Sequence, residues 1–189
     1  LSNMGFAAGK VQEKAIGNLT KPASVGDYLF SDGTYGALSD NIGKTPIGVF
    51  FSTRLSDVEK AAGYTHGYVM ALKDASASDV VWATESTDIP YLNNNQTVNS
   101  LYQDVESGYI GTFVHSMGTD PVYPAWEVAY NYKNMVAPPA NSSGWYLPTA
   151  GQWWDLLANW GNDETLTGDL HTLESASNEY SVSINLGND

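Results

Sequence analysis

The chain predicts an α+β domain in which helices pack on a twisted antiparallel sheet. Three observations carry this. Short β-rich runs, separated by turn residues, fill residues 25–83. Two amphipathic helical patterns follow, over 123–135 and 149–160. The two kinds of segment do not alternate as βαβ units, which disfavours a parallel doubly wound sheet.

Taken in order, residues 1–24 read as an N-terminal extension or linker, because Ala7, Ala8 and Ala15 stand among glycines and polar residues with weak periodicity. The main domain is placed at 25–189. Val25–Tyr35 reads as a hairpin, with Asp32-Gly33 as a type I′ turn signal. Thr45–Phe51 reads as a buried strand. Ser56-Asp57-Val58-Glu59 caps one helical turn, stopped by Gly63. His66–Leu72 and Asp79–Ala83 are two further strand candidates. Residues 84–122 lack a long apolar pattern and read as a surface loop, a place where function concentrates.

Tyr123–Met135 predicts a helix with Pro124 near its first turn, and Trp126, Ala129 and Tyr130 on its buried face. Pro138-Pro139 ends it. In the next helix, Thr149 is the N-cap and Gln152 completes a capping box. Trp153, Leu156, Leu157 and Trp160 recur at i, i+3, i+4 and i+7, and Gly161 stands past the end. Trp82, Trp126, Trp153 and Trp160 are expected in the core, while Trp145 and Trp154 are open. Tyr180–Leu186 alternates as a half-buried strand would.

Composition narrows the function. The chain of 189 residues has 8 basic and 21 acidic side chains, a net charge of −13. That balance opposes nucleic-acid or anionic-lipid binding, which needs a basic surface. Hydrophobic residues make up 42%, enough for a core, and charged residues only 15%. The remaining surface is polar and uncharged, as in many exported proteins. Without cysteine there is no disulfide, thiolate metal site or cysteine nucleophile. No apolar run approaches the about 18 residues of a membrane span. The opening Leu1–Gly5 lacks a signal-peptide pattern and reads as a mature or cut chain, or equally as a cytosolic one.

Trp145-Tyr146-Leu147-Pro148-Thr149, followed by Trp153, resembles the Trp-x-Leu-Pro-Thr signature of bacterial C-type-lectin-like domains. Three further segments, in order, are similar to the adhesin-like branch of these domains: Val25–Tyr35, Lys44–Phe51 and His66–Ala75 with Trp82. Tyr123-Pro124-Ala125-Trp126 is similar to the branch's first helix. That branch includes the Fibrobacter major paralogous domain and the C-terminal domain of the Legionella collagen-like adhesin. The resemblance implies a C-type-lectin-like fold and a surface lipoprotein of Bacteroides-type bacteria, outer-membrane-associated or fimbria-associated. Its work would be non-catalytic adhesion to a protein or glycan ligand. The related formylglycine-generating enzymes use cysteines that this chain lacks, so their activity does not carry over. The branch usually closes with a Trp-Ser-Ser strand, which is absent here. Either the chain is shortened or its final strands are remodelled.

Candidate chemistry is sparse. His66, His115 and His171 have no metal-ligand spacing and read as structural. His115-Ser116 lacks a nucleophile elbow. Glu85, Asp88, Asp104, Glu106 and Glu127 are the carboxylates from which a glycan hydrolase could draw a pair. Asn162, Asp163, Glu164 and Asp169 could build a calcium site, without EF-hand spacing. The expectation is therefore no catalytic residue, no cofactor and no metal. Tyr91, Asn93, Asn94 and Asn95 are the ligand-binding candidates, because an aromatic ring beside amides grips sugars and protein surfaces. The same run also fits a plain Asn-rich turn. The rival functions are a glycan hydrolase with two buried carboxylates across a cleft, and a structural pilus subunit pairing strands with its neighbours.

Overall fold

The computed structural model describes residues 7–11, 22–85, 106–116, 118 and 122–160. They form an α+β unit around a five-stranded antiparallel sheet. The strands are β1 (Ala8–Val11), β2 (Tyr28–Phe30), β3 (Tyr35–Gly36), β4 (Pro46–Ser52) and β5 (Gly67–Ala71), in the spatial order β1-β5-β4-β2-β3.

The first strand is a departure from the sequence reading. Ala8–Val11 lies inside the segment read as an extension, yet all four residues are buried. Its register on β5 pairs Ala8 with Met70 and Lys10 with Tyr68. Its other side is occupied too: Ala8 N–H donates to the Tyr146 carbonyl at 2.9 Å and Tyr146 N–H returns to Ala8 at 2.7 Å. Ser143 N–H donates to the Lys10 carbonyl, also at 2.9 Å. β1 is thus an end strand whose outer side is covered by bridges to Ser142 and Tyr146, although glycine and alanine hide it from a propensity argument.

The hairpin at β2–β3 forms, through a longer turn than the expected two-residue one. Ser31–Thr34 separate the strands, with Gly33 at φ +83° and Thr34 N–H donating to the Asp32 carboxylate at 3.0 Å. Asp79–Ala83 is not a strand; it runs as irregular chain. Within the expected loop 84–122, a short helix α2 (Ser107–Ile110) continues into a π-helical turn at Gly111–Ser116.

The capping signals hold. α1 (Asp57–Ala61) starts on a reciprocal box: Glu59 N–H donates to Ser56 Oγ at 3.1 Å and Ser56 N–H donates to Glu59 Oε2 at 2.8 Å. α4 (Ala150–Trp160) repeats the device with Thr149 and Gln152 at 3.2 and 3.0 Å. Between them, α3 (Pro124–Asn131) buries Trp126 and Ala129, with Tyr130 half-buried. The buried face of α4 is rotated from expectation. Gln152, Trp154, Asp155 and Leu156 are buried, while Trp153, Leu157 and Trp160 are half-buried.

Apolar side chains cover both faces of the sheet. Val11, Phe50, Val69 and Ala71 meet Tyr132 and Trp145 on one face. Ala8, Val49, Tyr68 and Met70 meet Tyr146 and Leu156 on the other. This is why β4 and β5 read as continuous apolar runs rather than alternating ones. Trp145 lies against Gly9 and Gly48: a Cβ on Gly48 would sit 3.2 Å from the indole. The indole nitrogen donates to the Val136 carbonyl at 2.9 Å. The Trp of the Trp-x-Leu-Pro-Thr run is therefore a core anchor.

Gly67 has φ +140°, and a Cβ there would collide with the Ser52 carbonyl beside the irregular β4–β5 pairing. Gly67→Ala is expected to destabilise the fold by about 2–4 kcal/mol, combining backbone strain with overpacking. Urea unfolding would measure this; a change below about 1 kcal/mol would mean the strand edge relaxes freely.

Candidate functional site

Two features stand out among the described residues: a buried ionic cluster under the sheet and an exposed aromatic shelf. The cluster is centred on Lys10, whose side chain is 3% exposed. Strand alternation turns Lys10 to the same face as Ala8, into the space enclosed by α1 and α2. Its Nζ lies 3.2 Å from Glu59 Oε1 and 3.8 Å from Glu106 Oε2. It also lies 4.1 Å from the Tyr109 ring centroid, 5.2 Å from that of Tyr64 and 5.9 Å from that of Tyr146. A lysine with little water needs such partners, and the negative ring faces add to the two carboxylates.

Glu59 is placed by its capping role. Its Oε2 accepts from Ser56 N–H and, at 2.6 Å, from the Tyr68 hydroxyl. Ser56 Oγ donates to Glu106 Oε1 at 2.7 Å, so one serine joins both carboxylates. Gln152 Nε2 donates to the Tyr146 hydroxyl at 2.8 Å and ties α4 to the cluster. Burial lifts the Tyr146 phenol well above its ordinary value, and burial also raises Tyr68 and Tyr64. A second polar tie joins α4 to β4: Asp155 Oδ2 accepts from Ser52 Oγ and Arg54 Nε, both at 3.0 Å.

The shelf lies where the 84–122 segment leaves and rejoins the body. Thr84 N–H donates to the Val122 carbonyl at 2.9 Å, pinning the two ends together. Trp82, expected in the core, is 47% exposed and Val81 is 60% exposed. Trp82 meets Trp126 edge-on at 5.1 Å and tilts against Tyr123 at 6.1 Å. Tyr123 and Trp126 are themselves buried, so the exposed ring stands on a rigid base.

A cavity lined by Ala7, Phe51, Met70, Gln152, Trp153 and Leu156 holds about 10 Å³, about the space of one water. Among the described residues no group of three or more His, Asp or Glu could hold a metal. No described helix is long and apolar enough to cross a membrane.

Tyr91, Asn93, Asn94 and Asn95 lie outside the described residues, as do Asp88, Asp104, Asn162, Asp163, Glu164, Asp169, His171 and 180–186. Glu85 is exposed and Glu127 half-buried. The His66 ring is buried against the Tyr35 ring at 4.6 Å, and the backbone N–H of His66 donates to the Val11 carbonyl at 3.2 Å, a packing role. His115 and Ser116 fall in the π-helical turn, where Ser116 Oγ accepts from Gly118 N–H at 3.3 Å. Sequence reasoning gave Glu59 only a capping role and passed over Lys10. A lysine inside a run of small apolar residues was the available signal.

No protein-family model, curated protein or solved structure matches this chain.

Two outcomes follow from the cluster. The folded protein holds the phenolic protons of Tyr64, Tyr68 and Tyr146 more tightly than the unfolded chain, whose tyrosines titrate near 10.0. Their stabilisation is complete below that pH and is lost as pH rises above it. The urea midpoint should therefore fall on the alkaline side, and phenolate absorbance of the buried rings should appear together with unfolding. Tyr68→Phe removes a hydrogen bond to the buried Glu59 carboxylate and is expected to cost about 1.5–3 kcal/mol in urea unfolding.

Proposed function

We propose that this chain is a non-catalytic, cell-surface adhesion or ligand-binding domain of C-type-lectin-like character. The observation that carries the reading is the aromatic shelf at the base of the 84–122 segment. Exposed tryptophan on a buried aromatic base is a common way for a rigid scaffold to hold a sugar face or a protein anchor. The Thr84–Val122 hydrogen bond fixes the frame from which the segment carrying Tyr91 and Asn93–Asn95 departs. Loops positioned in this way by a packed body are where binding residues concentrate. The net charge of −13 directs the expected partners to neutral glycans or basic protein surfaces. The outer-membrane or fimbrial setting rests on the sequence resemblance.

Purified protein applied to glycan and matrix-protein arrays, with and without calcium, tests the reading. Dose-dependent binding is expected. Trp82→Ala should weaken it at least tenfold, about 1.4 kcal/mol, with the circular dichroism spectrum unchanged. Replacing Tyr91 or Asn93–Asn95 by alanine should also weaken it. Binding that ignores all of these changes would place the site elsewhere, and no binding under either condition would count against adhesion.

A further inference from the structure

We propose that Lys10 and Glu59 condense to an intramolecular amide, with Glu106 carrying the protons. This inference stands on the buried cluster and is independent of the adhesion reading. The two oxygens of Glu59 are set up differently. Oε2 accepts from the Tyr68 hydroxyl at 2.6 Å and Ser56 N–H at 2.8 Å. Oε1 takes no hydrogen bond among the described residues, and Lys10 Nζ faces it at 3.2 Å. The side chains of Lys10 and Glu59 are 3% and 0% exposed. Glu106, 28% exposed, places Oε2 3.8 Å from the same Nζ while Ser56 Oγ holds its Oε1. The rings of Tyr64, Tyr109 and Tyr146 form the surrounding wall.

Each part has a chemical role. The Lys10 ammonium passes one proton to Glu106, which leaves a neutral amine. The nitrogen lone pair attacks Glu59 Cδ, and Glu106 returns the proton to Oε1 as the carbon–nitrogen bond forms. The negative charge develops on Oε2, where the Tyr68 hydroxyl and Ser56 N–H already donate. Glu106 then removes a proton from the new nitrogen and delivers it to Oε1, which leaves as water. The carbon–Oε1 bond breaks, Oε2 becomes the amide carbonyl, and Glu106 ends as it began. No oxidant or reductant is needed. The product replaces a buried ion pair, which is costly to desolvate, by a neutral group. The tyrosine wall restricts the water that would reverse the reaction. In a chain without cysteine, the amide would lock β1 to α1 covalently.

Intact-mass measurement of the full folded chain decides the matter. The expected mass is that of the sequence less one water, with a proteolytic fragment that joins the Lys10 and Glu59 peptides. The fragment assignment is essential, because cyclisation at Asp32-Gly33 would remove the same mass. Lys10→Arg keeps the cation and should restore the full mass, with a lower Tm. Glu106→Gln should slow the loss of water at least tenfold in protein that remains folded by circular dichroism. Wild-type chain that keeps its full mass after prolonged incubation overturns the proposal, as does a water loss that maps elsewhere. Bond formation at the wild-type rate in Glu106→Gln overturns the role of Glu106.

Discussion

The charge of Lys10 inside the sheet is the constraint around which the described structure is arranged. A lysine ammonium withdrawn from water costs several kcal/mol unless it is paired and its partners are themselves satisfied. Here compensation comes from three places in the sequence: Glu59 on α1, Glu106 at the start of α2, and the tyrosine rings of residues 64, 109 and 146. Removing Lys10 would leave the buried Glu59 carboxylate without its cation, and removing Glu59 would leave Lys10 with Glu106 alone at 3.8 Å. The cluster therefore couples β1, α1 and α2 more tightly than their small apolar contacts would.

That coupling spreads through aromatic rings. Tyr109 packs edge-on against Tyr146 at 5.7 Å and tilts against Phe113 at 4.9 Å, and Phe113 meets Tyr130 of α3 at 5.8 Å. Lys133 lies 3.5 Å from the Tyr130 centroid at the outer end. A ladder of rings thus runs from the buried lysine to a half-buried one, Lys133, just past the end of α3. Ring pairs of this kind add about 0.5–1.5 kcal/mol each beyond their burial. The ladder explains how a short, π-turned helical segment stays fixed against the body. Gly111 permits the approach, because a Cβ there would strike the Trp126 indole.

The candidate site was only partly legible in the sequence. Capping boxes at Ser56–Glu59 and Thr149–Gln152 were readable because they depend on neighbours three residues apart. The buried strands β4 and β5 were readable from β-rich apolar runs. Trp82 departs from its expected place because Asp79–Ala83 has strand-like composition but pairs with no strand among the described residues, and its ring is half exposed beside Trp126. β1 was missed for the converse reason. Ala8-Gly9-Lys10 has poor strand propensity, and only pairing on both sides makes it a strand.

The sequence by itself determined the α+β class, the capped starts of α1 and α4 and the proline start of α3, the β4 and β5 strands, and the absence of thiol chemistry. These follow from local patterns and composition, which act over a few residues. Tertiary structure alone decided that Lys10 is buried, that Glu59 is both a cap and a counter-ion, and that α4 turns Trp154 rather than Trp153 inward. Those outcomes depend on which surfaces meet across the sheet. Asp155 and Asn159 show why: the first is held by Ser52 and Arg54, and the second donates to the Phe51 carbonyl at 2.7 Å. Polar ties of that range set the rotation of the helix, and a 3.6-residue period has no access to them.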